Sequence, residues 1–142
     1  MQSFCARIVD DKNCYFLNSQ ISLDKAKFKS DSDLDGSLND LRKALEELLK
    51  SAVFEAQENS DSTPGLDGLQ IEQLLPKLKA LYQIPKPIFV QIESLQRQTT
   101  LGSHGQGSVG YDEFLSPEII KGHISQFEKI RDYFLKAAQD NS

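Results

Sequence analysis

The chain has 142 residues, of which 39% are hydrophobic and 26% charged, with a net charge of −5 at neutral pH. That length suits one domain with a single core, and the mixture is that of a globular chain and unlike a fibrous repeat or a disordered tail. The negative balance opposes non-specific attraction to a phosphate backbone, so any contact with nucleic acid needs a local basic spot.

Other classes fall away on residue content. No stretch approaches the roughly 18 apolar residues of a membrane-spanning helix, and the opening Met1-Gln2-Ser3-Phe4-Cys5 lacks the basic lead and apolar run of a signal peptide. A cytosolic chain without membrane contact is expected. Cys5 and Cys14 read as reduced thiols, since a secreted disulfide scaffold carries more. The two histidines, His104 and His123, cannot make a four-ligand zinc site with no Cys or His pair at finger spacing, so neither metal nor cofactor is expected.

In chain order, residues 3–9 and 14–17 are short β-branched or aromatic runs flanking the polar Asp10-Asp11-Lys12-Asn13. A hairpin, one irregular helix and an arm docking on another chain all fit, and residues 1–20 are set apart as an N-terminal extension. Helical spacing begins at Ser22 with Leu23, Ala26 and Phe28, a short leading helix that ends in Ser30-Asp31-Ser32-Asp33. The plainest pattern follows: Leu34, Leu38, Leu41, Leu45, Leu48 and Ala52 recur at three- and four-residue steps, with Asp33 placed to cap the first turn. This predicts a helix over 34–58 with one packed side and one water-facing side bearing Asp40, Arg42, Lys43, Glu46, Glu47 and Lys50.

Asn59 to Gly65 is polar and turn-rich, hence a loop. Leu69, Leu74, Leu75, Leu78, Leu81 and Tyr82 restore helical spacing over 68–83, where Pro76 calls for one bent helix or two short ones. Pro85 and Pro87 form a stiff connector to a helix carrying Ile88, Phe89, Ile92 and Leu95 towards Thr100, ended by Gly102, Gly105, Gly107 and Gly110. Ser116-Pro117-Glu118 then starts a helix that Ile120, Ile124, Phe127, Ile130 and Phe134 carry to about Ala138. The sum is an all-α, up-and-down bundle of four to five helices over residues 21–142.

Chemistry concentrates where helical pattern gives way to polar residues and glycine, at Leu95 to Gly107. Arg97 and His104 are seven positions apart, two helical turns with a small angular drift, so they share a face if the helix persists that far. Phosphodiester cleavage needs a proton-transfer group titrating near neutrality and a fixed cation for charge building on phosphate oxygens. His104 suits the first role and Arg97 the second, with Gln98, Thr100, Ser103 and Gly105 as substrate contacts. On spacing alone the plainer reading is stronger: Arg97 in a surface ion pair and His104 closing its helix.

Two motifs shift that balance. Gly36 to Lys50, with its Arg42-Lys43-Ala44-Leu45-Glu46 stretch, resembles the first core helix of the HEPN superfamily of helical-bundle domains. Arg97-Gln98 followed by Gly102-Ser103-His104-Gly105 is similar to that superfamily's Arg and His signature, with six residues between them, in the form of its abortive-infection-related branches. The resemblance spans about Leu34 to Ala138 and implies a HEPN-like bundle that pairs as a homodimer, bringing two Arg/His sets into a cleft. It further implies a metal-independent ribonuclease of toxin–antitoxin or antiviral defence, acting on RNA and held by an antitoxin or other protein partner. Members without catalysis serve as protein-interaction or nucleotide-binding modules. One departure stands out: active members often carry Asn, Asp or His after the Arg, where this chain has Gln98.

Other candidates are weaker. His123 sits beside the packed face of the last helix, and Asp31, Asp33, Asp35 and Gly36 lack the acid a calcium loop needs at its twelfth position, which is Arg42. Glu46 is in reach of orienting Arg97 or His104 across a bundle, and Tyr111, Asp112 and Glu113 would cover the cleft or merely join two helices.

Overall fold

The computed structural model describes residues 15–56, 69–81, 83–103 and 116–140. Residues 3–9, the loop at 59–65 and the stretch 104–113 lie outside them, as do Cys5 and Cys14. Among the described residues there are five helices and no strand: α1 (Tyr15–Lys29), α2 (Leu34–Ala56), α3 (Ile71–Leu81), α4 (Lys86–Ser103) and α5 (Pro117–Asp140). The expected all-α bundle is the observed one.

Helix α2 is central and packs against each of the other four. Leu38, Leu41, Leu45, Leu48 and Ala52 are buried as their spacing predicts, and so are Ala44, Leu49 and Val53, which widen the stripe beyond one face. The expected water-facing side is corrected accordingly. Asp40 and Lys50 are 5% and 3% exposed, Arg42, Glu46 and Glu47 are half-buried, and Lys43 alone of the six is exposed. A helix surrounded by neighbours has no fully wet side, so its charges are paired instead. Lys29 Nζ lies 2.8 Å from Asp40 Oδ2, Arg42 reaches Glu46 at 3.6 Å, and Lys50 approaches Glu46 at 3.5 Å and Glu47 at 3.8 Å.

Helix α1 starts at Tyr15 and runs unbroken past the boundary expected between residues 20 and 21. Residues 15–17, the second half of the hairpin considered above, are therefore helical. Tyr15, Phe16, Ser19, Leu23 and Ala26 form the buried stripe, and the Tyr15 ring meets Phe54 edge-on at 6.1 Å. Tyr15, Phe16 and Ser19 thus reach into the bundle's core. Small residues let α1 and α2 approach closely: Ser19 Oγ donates to the Ala44 carbonyl and Ser37 Oγ to the Ala26 carbonyl, each at 2.7 Å. These two bonds fix an antiparallel register.

Local chemistry sets the helix ends. Asp33 Oδ1 accepts from the Gly36 amide at 3.0 Å, the predicted cap of α2. Gln73 Oε1 reaches back to the Gln70 amide at 2.9 Å before α3, which continues through Pro76 as a single helix. The Pro85 carbonyl accepts from both Ile88 and Phe89 at the start of α4, and Ser116 Oγ accepts from Ile119 at 3.2 Å to open α5 as expected. Helix α4 extends through Gly102 to Ser103, three residues beyond the expected Thr100.

Side-chain bonds orient the outer helices. Gln96 Nε2 donates to Glu72 Oε1 at 2.9 Å between α4 and α3, and Gln126 Nε2 to the Gln91 carbonyl at 3.3 Å between α5 and α4. Lys121 to Asp31, Lys27 to Glu128, and Arg131 to Gln20 tie α5 to α1 and the turn after it. No helix among the described residues is long and apolar enough to cross a membrane.

Candidate functional site

Helix α4 turns Ile92, Leu95 and Thr99 inward, and that choice decides what faces out. Thr99 is locked by its own helix, with Oγ1 donating to the Leu95 carbonyl at 2.8 Å and lying 3.2 Å from that of Gln96. Arg97 lies between these inward positions and is exposed. Among the described residues its guanidinium has no hydrogen-bond or ion-pair partner, so the surface ion pair of the plainer reading is not formed there.

Helix α4 persists to Ser103, the residue before His104. Thr100 and Ser103 stand on the last turn of that helix, and Gln98 is half-buried and engaged rather than free. His104 and Gly105 lie outside the described residues. Glu46 does not orient Arg97: its carboxylate is held by Arg42 and Lys50 along α2. Asp31 pairs with Lys121 at 3.1 Å and Asp33 caps α2, so the acidic stretch has structural work there. Among the described residues no group of three or more His, Cys, Asp or Glu is placed to hold a metal ion. His123 is half-buried on α5 at the edge of the packed face, as expected, and burial lowers its pKa from 6.5.

One feature of this face escapes the periodicity. Lys86, Val90, Glu93 and Arg97 fall at steps of four, three and four along α4 and so share its outer side. At the first half of that side, where α3 turns into α4, lies a cleft of about 480 Å³ lined by Lys79, Ile84, Lys86, Phe89, Val90 and Glu93. Lys79 Nζ stands 5.4 Å from the Phe89 ring centroid, a cation over an aromatic face. The cleft offers two ammonium groups and one carboxylate above an apolar floor, one turn short of Arg97. The Pro85 and Pro87 connector hints at the elbow that makes it, but which side chains meet there depends on how α3 packs.

Comparison of the chain with protein-family models, curated proteins and solved structures finds no match.

Proposed function

We propose that this chain is a metal-independent endoribonuclease with a HEPN-like bundle, of the toxin or antiviral-defence type and acting in the cytosol. The observation that carries the reading is Arg97: an exposed guanidinium without a partner among the described residues, on a helix that continues to the residue before His104. An unpaired arginine at that position is free to take two phosphate oxygens in its planar fork.

In the reaction the RNA supplies its own nucleophile. His104 takes the proton of a 2′-hydroxyl, the 2′-oxygen bonds to the adjacent phosphorus, and the bond from phosphorus to the 5′-oxygen breaks. The leaving 5′-oxygen takes a proton from water, and His104 gives the one it accepted back to solvent. Arg97 neutralises charge on the non-bridging oxygens as it builds. The products are a 2′,3′-cyclic phosphate and a 5′-hydroxyl. Gln98, Thr100, Ser103 and Gly105 are the substrate contacts of this reading, and a protein antitoxin would act by covering Arg97.

The test is cleavage of end-labelled single-stranded RNA with excess EDTA present, by the full chain and by Arg97→Ala and His104→Ala, each checked for helical content by circular dichroism. The expected result is metal-independent cleavage lowered about 100- to 10,000-fold by either substitution. An inactive parent, or full activity in both variants, overturns the enzyme.

A non-catalytic interaction module is the second reading. What favours it is the apolar outer face of α1, where Leu17, Ile21 and Phe28 stand exposed, together with the net charge of −5.

A further inference from the structure

The core face of α1 is made by Phe16, Ser19, Leu23 and Ala26, which leaves the opposite side to solvent. That opposite side is apolar. Leu17, Ile21 and Phe28 are 43%, 45% and 86% exposed, and with Asp24 they fall at steps of four, three and four, one continuous stripe. A phenylalanine with most of its surface in water is costly, at about 25 cal/mol for each Å² of apolar area, and three large apolar side chains in register mark a docking face rather than scattered exposure.

We propose that this stripe is an interface between two copies of the chain, paired antiparallel through α1. The argument is charge complementarity with itself. Asp24 and Lys25 stand at the middle of the stripe, both exposed and neither with an ion-pair partner among the described residues. A twofold axis between them sets Ile21 of one copy against Phe28 of the other and Asp24 against Lys25, with each contact made twice, as an isologous interface requires. Lys27 and Lys29 lie off the stripe and are held by Glu128 and Asp40 of their own copy, so no like charges are directly opposed on it. A heterologous helix would have no reason to meet this order of residues twice.

One helix face falls short of the roughly 800 Å² per partner of standard stable complexes, so the pair is reversible and dissociates on dilution. The inference does not depend on RNA cleavage. It does bear on the arrangement of any site, because α1 and α4 each pack on α2 and the stripe points away from α2. Pairing through α1 does not by itself join the two Arg97 side chains, which stand on α4, in the shared cleft implied by the HEPN resemblance.

Sedimentation equilibrium of the full chain over micromolar to about 1 mM protein tests it. A concentration-dependent dimer is expected, weakened at least about tenfold by Phe28→Glu with helical circular dichroism unchanged. Asp24→Lys and Lys25→Asp should each weaken it, and the double swap, which restores opposite charges, should recover it. A chain that stays monomeric throughout the range overturns the proposal. So does a dimer indifferent to Phe28→Glu, or a double swap no better than its parts.

Discussion

Ser19 on α1 donates its hydroxyl hydrogen to the backbone carbonyl of Ala44 on α2 at 2.7 Å, both residues being buried. A side-chain bond to a neighbouring helix's carbonyl requires close approach, which Ser19 and Ala26 on one helix and Ser37 and Ala44 on the other permit. Two costs can be told apart. Ser19→Ala loses one buried bond, about 1 kcal/mol, while the Ala44 carbonyl keeps its place in the helix. Ala44→Leu drives a large side chain into the seam and costs about 1–3 kcal/mol. Urea denaturation should therefore rank Ala44→Leu as the more damaging, and the reverse order would show that close approach does not limit this packing.

The pairing of Lys29 with Asp40 gives stability a dependence on alkaline pH. Hydrogen bonding to Asp40, and then its charge, raise the Lys29 pKa from 10.5. A raised folded value means the contribution is complete below the unfolded pKa and is lost as pH climbs through the folded one. Melting temperatures followed upward from about pH 9 should fall more for the parent than for Lys29→Gln, whose contribution is already absent. Lys29→Arg, charged throughout, should lose less than the parent over the same range. Parallel curves for all three would mean that the pair contributes nothing there.

How far the sequence reaches can be judged on these same helices. The leucine repeat of α2 and the Ser116-Pro117-Glu118 start of α5 are visible because each is written in local spacing and local hydrogen bonding. The true start of α1 is hidden by its own composition: a serine holds an inward position at Ser19, while Leu17 and Ile21 face outward, so the apolar pattern points the wrong way. Burial of Asp40 and Lys50 is likewise illegible, because a charged residue announces solvent until its neighbours are known. At the candidate site the exposure of Arg97 follows from the inward spacing of Ile92, Leu95 and Thr99. The cleft beside Phe89 does not, since it is made where two helices meet.

On the acid side the group to watch is His123. Burial holds its pKa below 6.5, so the folded chain takes up this proton less readily than the unfolded one. Its contribution is complete above the unfolded value and is lost as pH falls through the lowered folded value. A proton NMR titration should place the imidazole midpoint below 6.5. Acidification from about pH 7.5 to 5 should then destabilise the parent more than His123→Gln. A midpoint at or above 6.5, or equal losses in the two proteins, would contradict a desolvated imidazole.

The start of α2 poses a contest between two effects of similar size. Gly36 ordinarily costs a helix about 1 kcal/mol relative to alanine, which argues for Gly36→Ala as a stabilising change. Yet a β-carbon at this position would run into the Asp33 carboxylate, the group that accepts the Gly36 amide at 3.0 Å. Displacing that cap forfeits about 1 kcal/mol, within a range of 0.5–2, so the two effects offset and the single substitution should bring little gain or a net loss. With Asp33→Ala already made there is no carboxylate to displace, and Gly36→Ala should then stabilise by about 1 kcal/mol. Thermal denaturation of the four proteins in this cycle measures the coupling directly. If Gly36→Ala had the same effect in both backgrounds, the glycine would be there for some reason other than making room for the cap.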